Sequence, residues 1–201
     1  MYAVGHLALG YITGKATGKL LNVKVNLPLL FLASIIPDID LLIPGLQHRG
    51  PSHSLIISIL IFIPLVAYYG KKATPYFIAL TQHALIGDYL TSEGIQLLRP
   101  INSTNYYGLP IEITSLTNIT MEWILFLTAF TILLKTKEAS TLFQPHPSNL
   151  LLSIPTFTVL LPTLISFPQY VHPALIIPHL TYLTIFTISI LIDFKAILKK
   201  S

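Results

Sequence analysis

The chain has 201 residues, 53% hydrophobic and only 10% charged, with a mean hydropathy of +0.71. Soluble domains carry about 25% charged residues, so these proportions describe an integral membrane protein. The net charge of +4 does not point to nucleic acid, because the lysines stand in small groups between apolar runs and form no continuous basic face. With no cysteine, disulfides and thiolate ligands are excluded, and any metal must be held by His, Asp, Glu or water.

In chain order, residues 2–14 read as a short apolar helix with His6 near its start, followed by Lys15, Lys19 and Lys24. Residues 27–46 have the length of a span, but Pro37-Asp38-Ile39-Asp40 interrupts them. Proline removes a backbone donor and disfavours helix at the residue before it. Ser52 is expected to cap a span over 53–70 that ends at Lys71-Lys72. The next span, 73–92, carries Gln82, His83 and Asp88, and residues 93–118 form the long polar segment. Residues 119–134 span again, with Glu122 near the start and Lys135-Thr136-Lys137 at the end. Two proline-containing apolar runs, 148–166 and 173–193, read as scaffold before the closing Lys195, Lys199 and Lys200. No segment reads as a cleavable signal peptide. The expected fold is all-α, a polytopic bundle of about five to seven membrane helices. It forms one integral membrane domain, with the site in 1–118 and scaffold helices in 119–201.

If every apolar run crosses, the lysine groups at 15–24, 71–72, 135–137 and 195–200 share one side, which the positive-inside rule makes cytoplasmic. His6, the 38–53 stretch, His83 with Asp88, Glu112 and Glu122 then lie toward the non-cytoplasmic face of a cell membrane. His83 stands roughly 15 Å from the Lys72 end of its helix, so a site there begins near mid-membrane and opens outward. The first run is short, and the sequence leaves open whether it crosses fully or re-enters.

The eight acids are the sharpest clue. Glu138 and Asp193 fall at the lysine side, where solvation is expected. Asp38, Asp40, Asp88, Glu93, Glu112 and Glu122 share the other half with His6, His48, His53 and His83. An ionisable residue within a membrane is costly and marks function by default. A His/Asp cluster without Cys suits Zn²⁺, Mn²⁺ or Mg²⁺. Such an ion offsets repulsion between carboxylates and brings the pKa of a water molecule to about 7.

The densest stretch is His48-Arg49-Gly50-Pro51-Ser52-His53-Ser54, whose Gly-Pro turn can fold both histidines inward. Arg49 either clamps a phosphate or carboxylate through its planar fork or snorkels to headgroups. Asp38 and Asp40 are about 200° apart on a regular helix. They serve one site only if Pro37 breaks that helix; otherwise one of them caps the following turn. His146, His172 and His179 read as structural or interfacial, and Tyr106, Tyr107 and Trp123 as an aromatic belt.

The order Gly5-His6, Pro37-Asp38-Ile39-Asp40, His48 to Ser54, then a His/Asp helix followed by Leu90-Thr91-x-x-Gly94, resembles the YdjM-like family over about residues 1–110. That family is identified as membrane-bound metal-dependent hydrolases, with a more distant similarity to zinc-dependent phospholipases C. The family's later helix carries His and Asp four apart, on one face. Here His83 and Asp88 are five apart, about 140° of rotation. Either a π-bulge near Gly87 realigns them, or Asp88 alone ligates.

Resemblance and residues together imply His6, Asp38, Asp40, His53, His83 and Asp88 as metal ligands. His48 is then a ligand or general acid/base beside catalytic Asp40 and Arg49, with Arg49, Ser52 and Ser54 on the substrate. The implied activity is metal-dependent hydrolysis of a phosphoester in a lipid or lipid-linked substrate. Zinc is the first choice of cofactor and manganese or magnesium the alternatives; no nucleic acid and no obligate protein partner are inferred. Two rivals are a transporter or channel with a buried His/Asp site and a non-catalytic membrane protein with a structural metal. The roles of Glu93, Glu112 and Glu122 stay open, Glu112 after Pro110 being the favoured one of the three.

Overall fold

The computed structural model describes residues 1–167 and 169–199, and these are organised by helices, with isolated β-bridges and no extended strand. In chain order the main helices are α1 (Ala3–Leu20), α2 (Leu27–Ile35), α3 (Leu55–Tyr69), α4 (Thr74–Gln82), α5 (Leu116–Lys135), α6 (Pro147–Leu164) and α7 (Ile176–Leu198). Four helices among the described residues are long and apolar enough to cross a membrane: Leu55–Lys72, α5, α6 and Pro173–Leu198.

α1 is the central element, packed against α2, α4 and α5. It runs past the expected end at residue 14 to Leu20, taking in Lys15 and Lys19. Small residues let it sit deep. A Cβ on Gly10 would lie 2.1 Å from Ser34 Cβ, so the α1–α2 contact requires glycine there. The N-terminus of α1 is capped from another helix. Glu122 of α5 accepts hydrogen bonds from Tyr2 N at 2.6 Å, Gly5 N at 3.0 Å and Asn118 Nδ2 at 3.1 Å. A carboxylate suits the positive end of a helix, and this one is fully buried.

The 27–46 run breaks where its proline demands. Asn26 caps α2, accepting from Leu29 N at 3.0 Å, and α2 stops at Ile35; a 3₁₀ segment, Ile36–Leu42, carries both aspartates. The cap of α3 is Ser54, whose Oγ accepts from Ile57 N at 3.4 Å, and not Ser52 as expected. The reason is that Pro51–His53 forms its own 3₁₀ turn, which leaves Ser52 free for Asp40. The polar segment 93–118 is ordered. Ile95 pairs with Tyr106, Gln96 N donates to Arg49 O at 3.0 Å and Leu55 N to Leu97 O at 3.0 Å, so the segment lies over the 48–54 stretch.

At the lysine end the expectation of solvated acids is overturned. Glu138 pairs with Lys15 and accepts from Tyr11 Oη at 2.8 Å, while buried Asp193 accepts from His146 N.

Replacing Gly10 by Ala drives a methyl group into Ser34 and is expected to cost about 1–3 kcal/mol. Thermal unfolding in detergent would show this as a Tm lowered by several degrees; an unchanged Tm would mean that α1 and α2 are not in this contact.

Candidate metal centre

Three elements deliver four donor atoms to a single point: Asp38 from the 3₁₀ segment after α2, His53 from the turn before α3, and His83 and Asp88 from the end of the α4 helix. The backbone of His83–Asp88 is a π-helix, in which Tyr89 N donates to Ala84 O, five residues back, at 2.9 Å. This i→i+5 repeat brings two residues spaced by five onto one side. Gly87 is needed within it, because a Cβ there would lie 2.4 Å from His6 Cε1.

The two imidazole nitrogens are nearly equidistant from the two carboxylate oxygens. His53 Nε2 lies 3.3 Å from Asp38 Oδ1 and 3.3 Å from Asp88 Oδ2. His83 Nε2 lies 3.3 Å from Asp38 Oδ1 and 3.4 Å from Asp88 Oδ2, and the two Nε2 atoms are 3.1 Å apart. All four residues are buried.

The far nitrogens decide what these near ones offer. His83 Nδ1 is 2.8 Å from Ser34 O, and a carbonyl can only accept, so Nδ1 carries the proton. His53 Nδ1 faces Asp40 Oδ2 at 3.2 Å and Ser52 Oγ at 3.0 Å, while Ser52 itself donates to Asp40. Burial opposes charge on Asp40, yet hydrogen bonds with His48 and His53 outweigh it and hold its carboxyl down to about 2. Ser52 Oγ gives its own proton to Asp40, so it can only accept from His53, and His53 Nδ1 carries a proton. In their neutral form the two imidazoles would turn two Nε2 lone pairs toward two carboxylate oxygens. Among the described residues Asp88 Oδ2 has no hydrogen-bond partner. An unsatisfied buried acceptor costs about 1–3 kcal/mol, more when charged, and a cation removes that cost. The donor set therefore fits a metal ion, held by Asp38, His53, His83 and Asp88 and oriented from behind by Asp40 and Ser34 O in the manner of outer ligand partners.

Two of the six residues expected to ligate stand further out. Asp40 lies behind His53, so that His53 is held between Asp38 at Nε2 and Asp40 at Nδ1, and Asp40, His48 and His53 form a second group whose donor atoms lie within 4.8 Å of one another. His6 stacks on His83, ring centroids 3.6 Å apart, with Nε2 3.4 Å from Asp88 Oδ1, the oxygen turned away from the cluster. That oxygen also meets the Met1 amino group at 3.0 Å and Arg49 Nη2 at 3.0 Å.

Half-buried His48 reaches Asp40 Oδ1 through Nδ1 at 2.8 Å. Arg49 adopts a left-handed backbone, φ +61°, uncommon for a residue with a side chain. Its buried guanidinium contacts Asp88, Thr91 Oγ1 at 2.7 Å and Glu93 at 3.2 Å. Ser54 is turned to the Leu97 and Arg99 carbonyls, whereas Ser52 stays beside Asp40. Glu122 serves α1 and Glu112 is exposed; of the three acids whose roles stayed open, Glu93 is the one beside the cluster, through Arg49. The α1 cap by Glu122 was missed in the sequence, where its only signal is an acid near the start of an apolar span.

Compared with known proteins, residues 1–170 match the family model described as YdjM inner membrane protein. No curated protein and no solved structure matches the chain.

Elemental analysis of the purified protein is expected to give about one divalent ion per chain. His83→Ala or Asp88→Asn should abolish its retention, and Asp40→Asn should weaken it about 10–100-fold. Full occupancy in Asp88→Asn would contradict the donor set.

Proposed function

Since the match covers most of its length, the chain belongs to the YdjM inner membrane protein family, and on that premise we propose that it is a membrane-embedded, metal-dependent hydrolase of a phosphoester in a lipid or lipid-linked substrate. The observation that carries this reading is the convergence of His53 and His83 Nε2 with Asp38 and Asp88 on one buried point. Zinc is supported by the spacing: a tetrahedron with bonds of about 2.0–2.1 Å has edges of about 3.3–3.4 Å, against 3.1–3.4 Å for the five edges that involve an imidazole nitrogen. A bound divalent cation supplies Lewis acidity and lowers the pKa of water toward neutrality.

This chain's own residues do the rest. Asp38 and His48 both line a small cavity of about 20 Å³, enough for one water. Asp40 holds His48 by Nδ1, which suits His48 to exchange a proton with that water. Arg49 positions Asp88, and its contact with the half-exposed carboxylate of Glu93 is the one an entering phosphoryl oxygen can replace. Ser52 stands beside Asp40 within reach of the ester. The lysines of α1, α5 and α7 gather at the opposite end of the bundle, which supports a site on the non-cytoplasmic side.

One feature favours a second reading. Four protein donors can close a tetrahedral shell, as in a structural site. Asp38 separates the two readings, because it alone of the four lines the small cavity.

The test is phosphate or headgroup release from phospholipid in nanodiscs by the Zn²⁺-loaded protein. Activity should fall at least 100-fold with Asp38→Asn or after chelation, while the helical circular dichroism is kept. Unfolding on chelation with no turnover beforehand would support the structural metal, and full activity without metal would overturn both readings.

A further inference from the structure

A cavity of about 670 Å³ lies between α2, α3 and α4. It is lined by Leu32 and Ala33 of α2, Ile57, Ile61 and Leu65 of α3 and Leu80 of α4. The three α3 residues recur every four positions and share one face of that helix. α3 leans away from the bundle: only 6% of its span is buried inside the protein, and it packs mainly on α4. The cleft therefore opens sideways, toward the hydrocarbon. Its hydroxyl at Ser58 is already used, donating to Ser54 O at 2.8 Å. At one end stand Pro37 and Ser52, at the other Lys24 and Lys72.

Two observations identify the occupant. The first is continuity: Ser52 lines the cleft and donates to Asp40, which holds the His53 ligand. The second is size. At about 670 Å³ the cleft falls within the range of small-molecule sites, about 300–1,000 Å³. It runs along α3, roughly 22 Å long, which suits an extended hydrocarbon chain and exceeds one leaflet's half of the roughly 30 Å bilayer core.

We propose that the cleft between α2 and α3 holds a hydrocarbon chain of a membrane phospholipid, with its headgroup end at Ser52, whose hydroxyl meets the outer nitrogen of His53. This rests on the hydrolase reading for the fate of the headgroup, but chain binding itself needs no turnover.

The experiment uses the full chain in nanodiscs containing a phospholipid with a diazirine in its acyl chain, and maps crosslinks by mass spectrometry. Crosslinks are expected at Ile57, Ile61 and Leu65, in at least fivefold excess over the exposed Leu127 and Leu191 of α5 and α7. Ile61→Trp, which fills the cleft, should lower that labelling at least fivefold, whereas Leu60→Trp on the outer face should not. Uniform labelling of all exposed helices, or labelling unaffected by Ile61→Trp, would overturn the proposal. A parallel assay with a water-soluble phosphodiester separates the two readings. Ile61→Trp should leave that turnover unchanged and reduce long-chain phospholipid turnover at least tenfold. Equal loss on both substrates would overturn the cleft as chain site, and no turnover of either substrate by the loaded wild type, with cleft labelling intact, would overturn the hydrolase alone.

Discussion

Two carboxylates and two imidazole lone pairs pointed at one another in a dry interior form the constraint on which this structure turns. Withdrawing an ion from water costs several kcal/mol even after relaxation, against a total folding stability of about 5–15 kcal/mol. Asp38 and Asp88 could not both be charged there without compensation. Arg49 and the Met1 amino group neutralise the outer oxygen of Asp88, but among the described residues its inner oxygen has no hydrogen-bond partner. The donor set around that oxygen fits a cation, which would supply the compensation.

The helices divide the work accordingly. α1, α2 and the α4 helix with its π-turn are enclosed and carry or support the donors, while α3, α5, α6 and α7 expose apolar side chains. The 3₁₀ segment at Asp38–Asp40 and the π-turn at His83–Asp88 depart from the α-helix, and both occur where a donor must be aimed. The close α1–α2 contact at Gly10 serves the same end, since Ser34 on α2 orients His83. Opening of the α3 side forms a cleft that ends at Ser52.

Much of this was legible in the chain because polar residues are so few. Scarce acids and histidines grouped between apolar runs, with no cysteine, marked the cluster residues, and Pro37 marked the break that carries Asp38 and Asp40. The division of labour within the cluster was not legible. Asp38 and Asp40 look equivalent in sequence, and only the path of the 3₁₀ segment puts one at each nitrogen of His53. The five-residue spacing of His83 and Asp88 left two outcomes, decided by a π-turn that depends on Gly87 lying against His6. Ser52 and Ser54 exchanged roles because a single extra turn moved the start of α3. Long-range partners such as Glu122 with the α1 N-terminus, or Glu138 with Lys15, follow from packing between helices that sequence order does not reveal. The cleft, likewise, depends on the lean of one helix.

X-ray absorption at the metal edge of the purified, membrane-extracted protein tests the central claim most directly. The structure predicts a first shell at about 2.0–2.2 Å with two imidazole nitrogens and at least one carboxylate oxygen, and loss of one imidazole in His83→Ala. A protein that retains no metal, or a shell built from water oxygens with no imidazole, would contradict it.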